Sequence, residues 1–562
     1  MLNNRILKYF HFLALLLIGQ SLCDNSPNIC TDQGVCYKGA WLFGGSLSTK
    51  YGSFQGIRYA KPPVGNLRFK NPEPFEPEEG NANFDVSNET KILCIQNGAG
   101  MGQEDCLLLN VYVPEKILED PENRVPVMVW IYGGGYAAGS GQYSDYGPQY
   151  FMEHGIILVT INYRLGPFGF FNLGNEEVPG NAAIKDQILA LEWVKSNIQS
   201  FGGDPDAVTI FGQSAGSFSV SMHLLSPLSK GLFQRAILQS GVPINPAWRA
   251  LTPDEALKYS GTLVERLNCQ EVENTLECLQ NIDASEIDTA SLELTVLSAW
   301  APSPDSDHSS NPVLPDDPEV LLSTGQFNSD VQVIVGTTKD EGILWFMSQL
   351  IGLSTWEDYK NTFDTAGIQQ LFFMWGIDPT PEDIEKAHKV VDYYVGSFDN
   401  INEDHKEGLF QMATDALMTH GNYRTIDFMV KNGMVVYPYM LTYQGAFTIP
   451  MIYGYQGEGV GICHGDDLLY QWDPALKLEY GWDGHLNGED TLVRDTIIRA
   501  WTNFAKYGDP TPPDSGLPSW TPQGAGEQYY WNILGPKPVM TSEADLNNIT
   551  ARVAFWNSIW NN

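Results

Sequence analysis

The chain is predicted to be an α/β protein with a mostly parallel central sheet flanked by helices. Three observations carry this. Five apolar runs rich in β-branched residues end at glycine-rich or polar turns. Segments with helical character lie between them. No proline/serine-rich linker, low-complexity block or repeat divides the 562 residues.

The apolar runs are VPVMVWIYGGG (125–135), GIILVTINYRLG (155–166), DAVTIFGQSAG (206–216), VQVIVGTTKDEG (331–342) and MVVYPYMLTYQG (434–445). Strands that are apolar almost without interruption suit a sheet buried on both faces. NAAIKDQILALEWVKSNIQSFGG carries apolar residues at Ile188, Leu189, Leu191, Trp193, Val194 and Ile198 and ends in Gly-Gly, which predicts a helix. Strands alternating with helices argue for parallel pairing, and ligands of such sheets sit at the carboxyl ends of the strands. The segment near 345–430 differs. IGLSTWEDYKNTFDTAGIQQLFFMWGI and PEDIEKAHKVVDYYV read as helices with no strand between them, so a helical insertion is expected there.

The chain is longer than the roughly 250–300 residues at which single cores usually stop growing. Its patterning is nonetheless unbroken, and one large domain over 24–562 is expected. Residues 1–23 read as a secretory signal: MLNNRILK supplies Arg5 and Lys8, YFHFLALLLIG is the apolar stretch, and Ser21-Leu22-Cys23 offers a cleavage site. That stretch is too short to span a bilayer comfortably, and no later stretch of about 20 residues is free of charges and turn formers. A secreted, extracellular chain with no membrane span after processing is expected.

The cysteines agree with an oxidising compartment. Cys30/Cys36, Cys94/Cys106 and Cys269/Cys278 are close in sequence, each pair able to close a short loop, although spacing does not determine connectivity. Cys463 is left over and reads as a small buried apolar residue. Asn88 and Asn548 begin N-x-T sequons and are candidate glycosylation sites. A formal charge of −36 sets the surface against nucleic acid and anionic lipid. It places no constraint on a small neutral substrate.

Chemistry concentrates at the ends of the apolar runs. Ser214 stands between Gly212 and Gly216 at a strand-to-helix junction, the context of a nucleophile elbow, with the Ala215 N–H beside it. A serine hydroxyl is a weak nucleophile without a base nearby. Gly133-Gly134-Gly135 follows VMVWIY, and backbone N–H groups without Cβ atoms can approach a reacting oxygen closely. On spacing alone Asp340 and Glu341 compete for the acid, and His464 and His485 for the base. The chain order serine, acid, histidine matches a hydrolase order. Asp466 and Asp467 read as solvated loop carboxylates rather than a metal pair, and no metal site is expected.

Taken together, these motifs resemble those of the type B carboxylesterases, the carboxylesterase/cholinesterase family with the α/β-hydrolase fold. The resemblance runs over nearly the whole mature chain: GIRYAKPPVGNLRF (56–69), EDCLLLNVYVP (104–114), GGG (133–135), INYRLGPFGF (161–170), FGGDPDAVTIFGQSAG (201–216), KDEG (339–342) and HGDD (464–467). It implies a triad of Ser214, Glu341 and His464, and an oxyanion hole built from the N–H groups of Gly134, Gly135 and Ala215. It also implies Cys94–Cys106 and Cys269–Cys278 disulfides and an Arg68–Glu104 ion pair. It says nothing decisive about Cys30 and Cys36. The implied activity is serine ester hydrolysis through an acyl-enzyme, with a small-molecule ester as substrate and no cofactor.

Two departures narrow the substrate. The loop IQNGAGMGQED (95–105) has no aromatic residue where cholinesterases place a tryptophan against choline. Gln213 stands where they carry a glutamate. Gln213, Leu344, Trp345 and Phe346 are expected to line an apolar substrate pocket, favouring apolar esters over choline esters. G-Q-S-A-G also resembles juvenile-hormone-esterase-like members, whose substrates are isoprenoid methyl esters. A catalytically silent binding ectodomain is the alternative from another class.

Overall fold

The computed structural model describes residues 26–77, 82–97, 101–292, 299–373, 378–455, 457, 459–472, 486 and 488–560. The signal sequence expected at 1–23 lies outside them.

A small sheet is formed by β1 (Asn28–Cys30), β2 (Cys36–Lys38) and β5 (Asn83–Asp85). The main sheet has 11 strands. They are β3 (Ala40–Gly44), β4 (Thr49–Arg58), β6 (Leu108–Pro114), β7 (Val125–Ile131), β8 (Ile157–Ile161), β9 (Gly203–Gln213), β10 (Arg235–Gln239), β11 (Gln332–Thr338), β12 (Val436–Leu441), β13 (Tyr529–Ile533) and β14 (Val539–Ser542). Their order is β14-β13-β12-β11-β10-β9-β7-β8-β6-β4-β3. From β8 through β7, β9, β10, β11 and β12 to β13 every pairing is parallel. β14 at one edge and β6, β4 and β3 at the other are antiparallel. Each of the five apolar runs forms a parallel strand. Residues 127–131 of β7, all of β8 and 208–213 of β9 are buried, because helices cover both faces and neither face can alternate with polar residues. The expected α/β architecture holds.

The helical insertion is present between β11 and β12. Its helices include Trp356–Thr362, Pro381–Val395, Lys406–Thr414 and His420–Lys431. Two of them start at capping boxes, Thr355 with Asp358 and Thr380 with Asp383, which satisfy N–H groups that the first helical turn leaves unpaired. The insertion packs around a second core that includes Phe346, Phe363, Val390 and Phe410, joined by Trp556 from the C-terminal helix Ile549–Trp560.

The structure pairs Cys30 with Cys36, Cys94 with Cys106 and Cys269 with Cys278, and leaves Cys463 free and buried. Arg68 ties two of these loops together. Its guanidinium donates to both Glu104 oxygens at 2.6 and 2.7 Å, inside the first loop, and to the Leu279 and Ile282 carbonyls just past the second. Asn88 and Asn548 are exposed. No helix among the described residues is long and apolar enough to cross a membrane.

One buried ion pair anchors the sheet to its first long helix, Ala182–Asn197. Asp186, fully buried, accepts from Arg164 Nε at 2.8 Å, Nη2 at 2.6 Å and the Arg164 backbone N–H at 3.1 Å. Burial pushes the Asp186 carboxyl up, and Arg164 opposes that. Removing one partner of such a pair strands the other charge, at a cost of roughly 3–5 kcal/mol. Arg164→Met is therefore expected to lower the guanidinium unfolding free energy by about that amount. A loss under about 1 kcal/mol would show that the pair does not anchor the helix.

Candidate active site

The parallel order places the ends of β7, β9, β10, β11 and β12 side by side along one edge of the sheet, and the candidate residues collect there. β9 ends at Gln213, and the helix Ala215–Leu225 starts two residues later. Ser214 between them has φ 58° and ψ −127°. Positive φ is unusual for a residue with a Cβ and marks strain held by the surroundings. Two hydrogen bonds hold it: the Ser214 N–H donates to the Gln239 carbonyl and the Ser214 carbonyl accepts from Phe218 N–H, both at 2.9 Å. The flanking glycines are steric requirements. A Cβ on Gly216 would run into the Ile131 carbonyl of the neighbouring strand, and one on Gly212 would lie 2.5 Å from the Gly216 carbonyl carbon.

The Gly133–Gly135 loop follows β7 and packs on this turn. A Cβ on Gly133 would lie 2.9 Å from Ser214 Cβ. Gly134 and Gly135 have φ 105° and 63°. Tyr136 fixes the far end: its carbonyl accepts from Gly166 N–H at 2.8 Å and its hydroxyl meets Ser219 Oγ at 3.1 Å. Ala215 is the first residue of its helix, so its N–H is one of the donors the helix leaves free.

Glu341 and His464 come together although 123 residues separate them. His464 Nδ1 lies 2.6 Å from Glu341 Oε2. The other Glu341 oxygen accepts from Ser240 Oγ at 2.5 Å and Thr338 N–H at 2.6 Å, so the fully buried carboxylate is held at both ends. With Nδ1–H donated to Glu341, His464 Nε2 presents its lone pair. That lone pair faces the Gln213 side-chain amide at 3.0 Å. Asp340 turns away from this cluster, its Oδ2 accepting from Ile462 N–H at 3.0 Å. His485, the rival base, lies outside the described residues.

The expectation of solvated carboxylates at Asp466 and Asp467 is corrected: both are buried. Asp466 accepts from Thr448 Oγ1 at 2.6 Å, Ile449 N–H at 2.7 Å and Cys463 N–H at 2.8 Å, which fixes the loop carrying His464. Asp467 accepts from Gln239 Nε2 at 2.6 Å. Burial pushes their carboxyls up to about 7 and about 6 respectively. Among the described residues no group of three or more His, Cys, Asp or Glu side chains could hold a metal ion.

Of the pocket candidates, Gln213 is buried against His464, Leu344 is exposed and Trp345 half-buried. Phe346 is fully buried, its ring 5.0–5.9 Å from those of Trp356, Tyr359 and Phe410 in the insertion core. Gln239 and Ser240 were not singled out from sequence. The run RAILQSG that carries them has three consecutive apolar residues, Ala236 to Leu238, too few to separate a strand from a turn.

Sheet order, elbow and neighbouring carboxylate–histidine pair define a hydrolase of the α/β type. The chain belongs to the carboxylesterase family, whose model matches residues 41–556, a family of carboxylic-ester hydrolases. It is 36% identical over 545 residues to juvenile hormone esterase of Tribolium castaneum, covering 90% of this chain and 87% of that one. It is 32% identical over 535 residues to acetylcholinesterase of Bungarus fasciatus, covering 90% and 82%. The crystal structure of juvenile hormone esterase from Manduca sexta, with OTFP covalently attached, superposes with a TM-score of 0.80 at 27% identity, covering 96% of this chain and 100% of that one.

Proposed function

We propose that the protein is a secreted, single-domain serine carboxylesterase in which Ser214, Glu341 and His464 form the triad and the N–H groups of Gly134, Gly135 and Ala215 stabilise the oxyanion. The observation that carries this reading is the 2.6 Å Glu341–His464 contact beside a strained serine elbow. As the ester carbonyl arrives, Ser214 Oγ takes over the His464 lone pair from Gln213; hydrogen bonds of this kind often tighten only in the substrate complex. Oγ attacks the carbonyl carbon while His464 Nε2 takes its proton. The tetrahedral oxyanion faces the three N–H donors, and His464 returns the proton to the departing alcohol. Water then adds to the acyl-enzyme by the same path, releasing the acid and restoring Ser214. Glu341 holds the tautomer and stabilises the imidazolium.

The substrates are esters with apolar, uncharged alcohol groups. Gln213 puts a neutral amide where a carboxylate would attract a cation, and 95–105 has no aromatic face for one. The test compares kcat/KM for butyrylthiocholine with that for its uncharged 3,3-dimethylbutyl isostere. The neutral ester is expected to be used at least as well; a tenfold preference for choline would refute the assignment. A narrower reading, hydrolysis of isoprenoid methyl esters, is favoured by G-Q-S-A-G and by likeness to two proteins named juvenile hormone esterase. It requires a methyl farnesoate-type ester to be used with higher kcat/KM than short aryl esters.

A further inference from the structure

We infer that Asp340, the carboxylate next to Glu341, is a positioning residue that holds the loop bearing His464 in register with the turn bearing Glu341. The inference rests on the triad reading above. The acid and the base stand on separate segments, and their 2.6 Å contact depends on how those segments sit against each other. Asp340 joins them at two points: its N–H donates to the Ile462 carbonyl at 3.0 Å, and its Oδ2 accepts from the Ile462 N–H at 3.0 Å. Ile462 is two residues before His464. The same turn is tied elsewhere by Lys339 N–H to the Leu441 carbonyl and by Gly342 N–H to Thr414 Oγ1, at 3.0 and 2.9 Å. Those bonds reach β12 and the helical insertion, whereas the Asp340 pair reaches the His464 loop.

Gly461 fits the same device. Its φ is +108°, and a Cβ there would lie 2.6 Å from Asp340 Oδ2 and 3.0 Å from Ile343 Cδ1. The Asp340 side chain retains 21% of its exposure and lines a cleft of about 650 Å³ with Gly461 and Ile462. Apolar packing on all sides therefore does not fix its orientation; the Ile462 N–H on Oδ2 does, with Lys339 Nζ 3.7 Å from Oδ1. Burial pushes the Asp340 carboxyl up, a cost that a neutral side chain would avoid. A displacement of about 1 Å in a catalytic group lowers rates by as much as 10²-fold.

The experiment measures kcat and KM for a short-chain aryl ester in wild type, Asp340→Ala and Asp340→Asn, with kcat expressed per site titrated by a fluorophosphonate. Asp340→Ala is expected to lower kcat per titrated site by about 10–100-fold with KM within about twofold. Asp340→Asn, whose amide oxygen still accepts from Ile462 N–H, is expected to recover at least tenfold over Asp340→Ala. A merely structural role would lower the number of titrated sites and leave kcat per site unchanged, which would overturn the inference. So would Asp340→Asn falling as far as Asp340→Ala. Gly461→Ala disturbs the clamp from the opposite loop and carries the same expectation if Asp340→Ala does not fold; unchanged kcat per site there is equally fatal. Failure of the triad reading is separate and visible first: wild-type protein would then show no titratable site at Ser214.

Discussion

Ser214→Ala is expected to lower kcat for a short-chain aryl ester by about 10⁶-fold, the scale on which removal of a triad nucleophile acts. The fold should survive. Alanine keeps the Cβ that the elbow already accommodates at φ 58°, and both backbone hydrogen bonds at Ser214 remain. Residual turnover above the uncatalysed rate is expected from the Gly134, Gly135 and Ala215 N–H groups, which the substitution leaves in place. Turnover by the variant within tenfold of wild type would remove Ser214 from the mechanism.

Glu341→Gln is the second large effect, about 10⁴-fold in kcat with little change in stability. The two side chains have nearly the same shape. A glutamine oxygen can keep the bonds from Ser240 Oγ and Thr338 N–H. Its amide then points N–H groups at His464 Nδ1, which must accept. The proton moves to Nε2, and the base has no lone pair for the Ser214 proton. The loss should fall on acylation and deacylation alike, because both use Nε2. A drop of less than tenfold would mean that Glu341 neither sets the tautomer nor stabilises the imidazolium.

The parts of the fold legible in the sequence are those where burial leaves one pattern available. β7, β8, β9, β11 and β12 lie in the parallel run and read as apolar segments ending at glycine-rich or polar turns. β10 was hidden because its apolar stretch is three residues long, yet it stands between the strands that lead to Ser214 and Glu341. With it went Ser240, which grips the Glu341 carboxylate, and Gln239, which grips Asp467. Local pattern could not separate Asp340 from Glu341, since adjacent residues on a turn point in different directions. The structure separates them by partner: Glu341 meets His464 and Ser240, and Asp340 meets Ile462. Charge misled at Asp466 and Asp467. A pair of acidic residues in a glycine-rich loop suggests solvent, whereas here backbone N–H and side-chain donors from 448, 449, 463 and 239 let both be buried.

The most direct test of the account is reaction of the folded protein with a fluorophosphonate, followed by mass mapping of the modified peptide. The account predicts one phosphonyl group per chain, on Ser214 within TIFGQSAGSF, and loss of esterase activity in proportion to labelling. Protein that hydrolyses esters but carries the label on another serine, or takes up none, would contradict it.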